Sequence, residues 1–150
     1  MKRNTFLILF ALIVLFSACK QKENLQKIYN KAPIETLELT QTQWHLIKIG
    51  AIKPKLIRED QSINIVFDKD NLHFAGFSGC NRYFGNFNKK KSSIKLENIG
   101  ATKMDCPEND MSIENKYLPL LDKVDNYTIH TDTLFLSQGI RILLIFIAKG

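Results

Sequence analysis

The sequence predicts an α+β fold, in which one domain combines an antiparallel sheet with a single helix. From Gln43 onward, short runs of alternating apolar residues are separated by turn residues, a pattern typical of antiparallel strands. Between Glu108 and Val124 the apolar spacing changes to one suited to a single helical stripe. The apolar residues of that stripe are Met111, Tyr117, Leu118, Leu121 and Val124.

The length of the chain bounds its organisation. The chain has 150 residues, enough for one domain with a proper core after removal of an N-terminal leader. Residues 19–40 are polar, charged and interrupted by Pro33, so they predict a flexible membrane tether. Residues 41–150 are therefore assigned to the domain.

The sequence of the first half of the domain predicts five strands, two of which form a hairpin. Residues 44–49 form the first strand, with Trp44 packed in the core. A hairpin follows, because apolar residues alternate on both sides of a turn rich in Asp and Asn at residues 68–71. The alternating residues of this hairpin are Ile63, Ile65 and Phe67, then Leu72, Phe74 and Gly76. The next two strands are recognised by Tyr83, Gly85 and Phe87 on one face, and by Ile94 and Leu96 in a short strand.

The sequence of the helix predicts where the helix starts, where it is interrupted and which side chains face solvent. Pro119 lies inside it and removes a backbone donor, so we expect a kink or a break there. Asn109 or Asp110 is the expected N-cap residue. Glu108, Asp110 and Glu114 are expected on its solvated face.

The chain returns to strands after the helix. Strands are predicted at residues 127–130, 134–136 and 140–147, separated by short polar turns. The last run is too apolar for a strand with one face in water. We therefore expect it to lie centrally or to be covered on both faces.

The N-terminus has the pattern of a bacterial lipoprotein signal. A basic head precedes an unbroken apolar run over residues 6–16, which is too short to span a bilayer as a helix. Residues 16–19, Phe-Ser-Ala-Cys, resemble the lipobox of bacterial lipoproteins, in which the cysteine receives a diacylglycerol and becomes the mature N-terminus. The sequence predicts a signal peptide over residues 1–18 and a lipid anchor, with palmitate among its acyl chains, at Cys19. The alternative is an ordinary signal peptide in which Cys19 is incidental.

A lipid anchor at Cys19 would place the protein on a membrane of the cell envelope. Lys20 follows Cys19, so this position lacks the acidic residue that is associated with retention in the inner membrane. The periplasmic face of the outer membrane is therefore the expected location, with the inner membrane and the cell surface as alternatives.

The charge of the chain is mildly basic. Its formal net charge is +6 at pH 7, and most basic residues are scattered. The cluster Lys89–Lys91 has no interleaved aromatic residues of the kind that stack on single-stranded nucleic acid, so no nucleic-acid partner is expected. We interpret the cluster as a solvated loop, with contact to anionic lipid headgroups as the alternative.

The cysteine content fits an oxidising compartment. If Cys19 carries lipid, Cys80 and Cys106 remain as an even pair, and a disulfide between them is predicted. Two buried free thiols or a metal site are the alternatives. Motifs such as CxxC and HExxH are absent from the sequence, and the three histidines lie far apart in it, so neither a metal nor another cofactor is expected.

Residues 76–85, Gly-Phe-Ser-Gly-Cys-Asn-Arg-Tyr-Phe-Gly, form the most distinctive motif of the chain. Its glycines allow backbone angles or close approaches that a side chain would block. Through this motif and the further positions named in the next sentence, residues 43–148 resemble the META domain family, which includes the heat-shock lipoprotein HslJ. The other matching positions are Trp44, Leu46, Ile65, Phe67, Thr102–Cys106, Glu114, Tyr117, Leu118, Leu121, Leu134 and Leu136.

The resemblance implies a curved antiparallel sheet, close to an incomplete barrel, that packs against one helix. It implies no catalytic residues, because the family has none established. Its members are linked to stress tolerance, antibiotic resistance, motility and secretion, and the fold is similar to that of secretin pilot lipoproteins that hold an acyl chain. Asp105, where a small residue is common, and Pro119 depart from the family pattern.

Three classes of function follow. An enzyme would need Cys80 or Cys106 as nucleophile with His45, His73 or His130 as base, but only the residue types are present, so we expect no catalysis. A ligand-binding module would enclose an acyl chain among aromatic side chains, although these are expected simply to fill the core. The aromatic residues concerned are Phe67, Phe74, Tyr83, Phe87, Phe135 and Phe146.

The third class, a non-catalytic envelope lipoprotein that docks another protein or supports stress tolerance, is the preferred one. The motif supplies a shaped loop for such a contact, and Arg and Tyr are residue types enriched at interface hot spots. The alternative is that the loop is purely structural. The candidate interaction residues are Gly79, Asn81, Arg82, Tyr83 and Gly85.

Overall fold

The computed structural model describes residues 37–56 and 61–149. The predicted signal peptide, Cys19 and most of the predicted tether lie outside these residues. Contacts divide the chain into the units Met1–Glu35 and Thr36–Gly150, and the second unit contains every described residue. Among the described residues, no helix has the length and apolar character needed to cross a membrane.

Over the described ranges the chain forms eight strands and one helix, which confirms the predicted α+β class. In chain order the elements are β1 (Gln43–Ile49), β2 (Asn64–Phe67), β3 (His73–Phe77), β4 (Arg82–Lys90), β5 (Ser93–Ala101), α1 (Glu108–Leu121), β6 (Asn126–His130), β7 (Thr133–Gln138) and β8 (Arg141–Ala148). Each strand is antiparallel to the next, and β1 pairs with both β2 and β8. The sheet therefore closes on itself into a ring.

The ring is weakest between β5 and β6. These strands share one register pair, Ser93 with Asn126, and two backbone hydrogen bonds, from Ile94 N to Asp125 O (3.0 Å) and from Tyr127 N to Ser92 O (2.9 Å). The helix α1 is the connection between these two strands. The prediction of a curved sheet close to an incomplete barrel, packed against one helix, is confirmed.

The core lies inside the ring and is rich in aromatic side chains. Phe67 and Phe87 meet edge to face with ring centroids 5.2 Å apart, and Tyr117 of α1 contacts the rings of Tyr83 and Phe146 at 5.6 and 6.4 Å. The helix thereby packs against strands β4 and β8. The fully buried large side chains are Trp44, Tyr83, Tyr117, Phe67, Phe74, Phe146, Ile65, Ile94, Leu121, Leu134, Leu136 and Leu144.

The domain begins before its predicted boundary at residue 41. Leu39 and Thr40 are both buried, and Thr40 forms a parallel bridge with Phe67 at the end of β2. Trp44, which is in the core as predicted, donates a hydrogen bond from Nε1 to the carbonyl of Leu39 (3.0 Å). Burial of this indole N–H requires such a partner, so the segment before β1 is part of the packed domain.

The predicted hairpin is present, but one of its residues is misplaced. Leu72 was expected to alternate with Phe74 on the inner face, yet it lies in the turn with φ of 53° and a 50% exposed side chain. The carboxylate of Asp68 accepts hydrogen bonds from the backbone N–H groups of Asp70 and Asn71 (2.8 and 3.4 Å). This turn is longer than predicted and ends in a left-handed residue, which removes Leu72 from the strand.

The expected N-cap of the helix is wrong, and of the kink or break expected at Pro119 the break is absent. Pro107 is the N-cap residue instead of Asn109 or Asp110, and its carbonyl accepts from the N–H groups of Asp110 and Met111 (3.0 and 3.1 Å). The helix also runs to Leu121 without a break at Pro119. The carbonyl that loses its partner there belongs to Asn115, which is exposed, so water can satisfy it.

The strands at the end of the domain largely follow the prediction. The last strand pairs with β7 on one edge and β1 on the other, so it is central as expected. Ile140 belongs to the preceding turn and is fully exposed, which shortens the predicted strand at its start. The strand β5 is longer than the short one predicted, because it extends from Ser93 to Ala101 with Ile94 and Leu96 buried.

Candidate functional site

A buried carboxylate joins the helix to the loop between β3 and β4. Glu114 is 7% exposed, and its Oε2 accepts hydrogen bonds from the hydroxyl of Ser78 and from Asn81 N (2.8 Å). Its Oε1 accepts from Asn81 Nδ2 (2.8 Å). Three donors therefore compensate the burial of one charge, as such burial requires.

The side chain of Asn81 also holds the segment that follows β5. Its Oδ1 accepts hydrogen bonds from Thr102 Oγ1 (2.9 Å) and from Met104 N (2.8 Å). The loop itself is closed by Ser78 N, which donates to Asn81 O (2.9 Å), and turns at Gly79 with φ of 111°. We call the buried residues Ser78, Asn81 and Glu114 the buried junction.

A disulfide between Cys80 and Cys106 reinforces the buried junction. Their Cα atoms are 5.8 Å apart, and Met111 of the helix packs with its sulfur 3.7 Å from Cys80 Sγ. Of the three alternatives left by the sequence, the structure contains the disulfide. The bond ties the β3–β4 loop to the segment that leads into α1.

A tyrosine pair lies beneath the same loop. The hydroxyl oxygens of Tyr83 and Tyr117 are 2.6 Å apart, and Tyr83 donates to the carbonyl of Asn64 (2.9 Å), so Tyr117 is the donor within the pair. Burial raises the pKa of both phenols well above the ordinary value of tyrosine. Both hydroxyls therefore stay neutral and serve as hydrogen-bonding groups of the core.

The burial of these groups corrects two interpretations of the sequence. Asp110 and Glu114 were expected on a solvated helix face, but both are buried, and only Glu108 of that set is exposed. A sequence pattern cannot distinguish a solvated carboxylate from one that accepts hydrogen bonds from a distant loop.

Of the five candidate interaction residues, four are buried and one is exposed. The side chains of Asn81 and Tyr83 are 4% and 1% exposed, and Gly79 and Gly85 are also buried. Arg82 is the exposed member, and its side chain makes no hydrogen bond or ion pair with any described residue. Most of the motif is thus architectural in this conformation.

Gly85 gives the first test of that architectural role. A Cβ atom at Gly85 would lie 2.5 Å from Phe74 Cζ and 2.8 Å from the carbonyl of Glu97. We expect Gly85→Ala to destabilise the domain by about 3 kcal/mol, because a core ring and a neighbouring backbone would both have to move. Thermal unfolding followed by circular dichroism measures this loss.

Gly100→Ala is the matched control for this substitution. Its Cβ would lie 3.1 Å from the ring of Phe84, which is 58% exposed and can turn away. We expect a change within about 0.5 kcal/mol. Equal losses for the two variants would show that loss of glycine in the sheet, rather than the close approach at Gly85, is what matters.

A groove of about 900 Å³ lies on the outer face of strands β1 to β4. The strand register builds it from two rows of outward side chains, in which each residue pairs with the next across the sheet. The first row is Gln43, Val66, Ala75 and Phe84, and the second is His45, Asn64, Phe77 and Arg82. Small Ala75 between Val66 and Phe84 leaves the depression.

The buried junction supports one wall of this groove. Thr102 and Met104, which are held by Asn81, line the groove together with Cys80. Val66, Phe84 and Met104 are 37%, 58% and 57% exposed. Apolar side chains with this exposure, rimmed by polar residues, are typical of interaction sites.

The described part of the groove lining carries positive charge. Among the residues that the structure describes, the lining side chains include Arg82 and His45 but no Asp or Glu. Burial, assisted by the positive charge of Lys149, lowers the pKa of His45 below its ordinary value, and His45 Nδ1 lies 2.6 Å from Ser62 Oγ. His45 is therefore neutral at pH 7, and Arg82 is the cation of the groove.

The two cysteines considered as nucleophiles are bonded to each other. Both cysteine sulfurs are in the disulfide, so neither is a thiolate. His73 and His130 are exposed at strand ends, while His45 lies in the groove. No group of three or more His, Cys, Asp or Glu residues is arranged to hold a metal ion among the residues described.

Of the groove residues, Arg82 and Tyr83 were recognised from the sequence as interaction candidates, whereas Val66, Phe84 and Met104 were not. Val66 and Phe84 each lie between two residues of the inner face, so strict alternation along β2 and β4 places them outside. Large apolar residues at outward positions of a half-exposed strand were the available signal. Met104 lies outside the strands, so its place beside Val66 and Phe84 in the groove is visible only in the folded structure.

Comparison with known proteins agrees with this architecture. The sequence model of the META domain family matches residues 37–149. No curated protein matches the chain. A Burkholderia xenovorans protein solved by NMR has a TM-score of 0.61 and 26% identity, over 74% of this chain and 83% of that one.

Two further solved structures show the same fold at lower identity. One is a protein solved by NMR, with a TM-score of 0.58 and 16% identity over 77% of this chain and 94% of that one. The other is a crystal structure of a DUF4847 family protein from Bacteroides vulgatus, with a TM-score of 0.53 and 16% identity over 75% and 94% of the two chains. Because its family match spans nearly the whole described domain, the chain belongs to the META domain family.

Proposed function

We propose that this chain is a non-catalytic lipoprotein of the cell envelope whose META domain docks a partner protein, with a role in stress tolerance. The observation that carries the proposal is the exposure of Val66, Phe84 and Met104 around one groove of about 900 Å³. Burying such a patch against a partner is favourable by roughly 25 cal/mol per Å² of apolar area. The buried junction keeps the groove in one shape, which lowers the entropy cost of binding.

The charge of the groove indicates the chemistry of the partner. Within residues 37–56 and 61–149, the lining offers one cation, Arg82, and no carboxylate. A segment with apolar side chains and one acidic group would satisfy both features, because a carboxylate can form a bidentate pair with the free guanidinium. We therefore propose an apolar segment with an Asp, a Glu or a terminal carboxylate as the occupant.

Membrane attachment is proposed to occur through Cys19. In cells fed an alkyne analogue of palmitate, the chain should become labelled and remain in the membrane fraction. Cys19→Ser should abolish the label and release the protein. Retention of the label in Cys19→Ser would contradict an anchor at this residue.

The docking proposal is tested by site-specific crosslinking in the native cell envelope. A photoreactive phenylalanine analogue at position 84 should give a discrete protein adduct. The same analogue at position 140 is the control, because Ile140 is a fully exposed apolar residue on the β7–β8 turn, outside the groove. Adducts at both positions, or at neither, would contradict docking in the groove.

Arg82→Ala should weaken that adduct without unfolding the domain. Because its guanidinium has no partner among the described residues, the melting temperature should change by no more than about 1 °C. Loss of a charge-assisted hydrogen bond to the partner should reduce the adduct at position 84 about tenfold. A large fall in melting temperature would instead assign Arg82 to the architecture.

A single anionic acyl chain is the second candidate occupant. The interior of the ring offers it no support, since the aromatic side chains there are buried against one another. The outer groove supports it better, through its volume, its apolar residues and Arg82. Native mass spectrometry distinguishes the two candidates, because a bound acyl chain adds a fatty-acid mass to the protein.

A further inference from the structure

We propose that the tip of the β4–β5 hairpin, Lys89–Lys91, contacts the anionic headgroups of the membrane that holds the lipid anchor. This inference rests on the anchored state proposed above. It assigns a second, electrostatic attachment point to the domain and so a defined orientation on the membrane. Its test measures the lipid contact separately from the anchor.

The hairpin extends past its neighbour on one side. The strand β3 begins at His73, opposite Asn86 of β4, and β4 continues from there to Lys90. The last backbone contact with the β2–β3 turn is from Phe87 N to Leu72 O (2.8 Å). The residues that follow Phe87 therefore lie beyond the β2–β3 turn, where Asn88–Lys90 pair with β5.

The hairpin tip lies at the end of the ring where the chain enters the domain. The strands β2 and β4 run in the same direction, because each is antiparallel to β3, and both finish at this end. Thr40 bridges Phe67, the last residue of β2, and Gln41 N donates to Phe67 O (3.4 Å). The chain that leads back to Cys19 thus departs from the same end as Lys89–Lys91.

The three lysines form a concentrated charge outside any ion pair of the described residues. All three side chains are exposed, and none takes part in an ion pair within the part of the chain that the structure describes. Nearby Lys95 differs, because it pairs with Glu97 (2.6 Å). A cluster of exposed lysines without ion-pair partners matches the negative surface of anionic lipids.

Co-sedimentation with lipid vesicles tests the proposal. The protein used is the chain from residue 19 onward with Cys19→Ser, so that no acyl chain contributes to binding. Vesicles contain phosphatidylglycerol and phosphatidylcholine, or phosphatidylcholine alone. We expect binding to the anionic vesicles only, and at least about tenfold weaker binding for Lys89→Gln/Lys90→Gln/Lys91→Gln.

The matched control is Lys48→Gln/Lys53→Gln/Lys55→Gln, which removes the same charge. These lysines are exposed and lie at or after the end of β1, at the opposite end of the ring. The control should bind anionic vesicles like the parent protein. Equal losses for the two variants, binding to neutral vesicles, no binding at all, or equal affinity for soluble polyglutamate would each overturn the proposal.

Failure of this proposal and failure of the anchor are distinguishable. Vesicle binding is measured on a protein without an acyl chain, whereas anchoring is read from palmitate labelling in cells. If the protein is labelled with palmitate but its hairpin tip does not bind anionic vesicles, the anchor proposal stands and only the proposed orientation fails.

Discussion

Glu114→Ala should lower the melting temperature of the domain by roughly 15 °C, the largest loss expected for a single substitution outside the ring strands. The variant removes the acceptor of Asn81 N and Asn81 Nδ2, and both donors are buried. Each unsatisfied buried donor costs about 1–3 kcal/mol, so a total near 4 kcal/mol is expected. Ser78 is affected less, because its hydroxyl can still donate to Asn81 O (2.7 Å).

Thermal and urea unfolding of matched variants measure this effect. Glu108→Ala, on the exposed side of the same helix, should change stability by less than about 0.5 kcal/mol. Glu114→Gln keeps the size of the side chain but brings an amide donor towards N–H groups, so it should recover only part of the loss. A Glu114→Ala protein as stable as Glu108→Ala would contradict the role assigned to the buried junction.

Removing the disulfide should cost about 3.5 kcal/mol of unfolding free energy in the chain-entropy model. The value follows from the separation of 26 residues between Cys80 and Cys106, which the bond constrains in the unfolded chain. Cys80→Ala/Cys106→Ala in a Cys19→Ser background isolates this bond from other thiols. Chemical unfolding with and without dithiothreitol gives the measurement.

Two results should agree if the disulfide acts as described. Dithiothreitol should destabilise the Cys19→Ser protein by about as much as the double substitution does, and it should leave the double variant unchanged. A double variant as stable as its parent would mean that the hydrogen bonds of the buried junction hold the loop without the cross-link.

Much of the sheet could be predicted from local pattern. Ile65 and Phe67, and Tyr83 and Phe87, alternate with outward residues along β2 and β4, and all four are buried. Period-two alternation depends only on the geometry of a strand, so one sequence suffices to recognise it. The closure of the ring between β1 and β8 was not predictable in this way, because no local pattern records which strands meet.

The buried junction and the groove show what local pattern omits. Glu114 has the same neighbours in sequence whether its carboxylate meets water or Asn81, which lies in a loop between two distant strands. Val66, Phe84 and Met104 come from three separate segments, and only the register of the sheet brings them together. Such sites depend on tertiary contacts, which single-sequence periodicity does not encode.

The closure of the ring also has a consequence for the order of folding. Trp44 in the first strand pairs with Ala148 in the last, roughly one hundred residues apart, whereas the hairpins between them form from neighbouring segments. Contacts between residues so far apart in sequence form late, because closing a long loop costs entropy, and this slows folding. Until β8 docks, β1 exposes an unpaired edge that carries the apolar residues Trp44, Leu46 and Ile49. During that interval the partly folded chain is prone to association through this strand edge. A chaperone that covers the edge would therefore reduce aggregation more than added stability of the folded domain would.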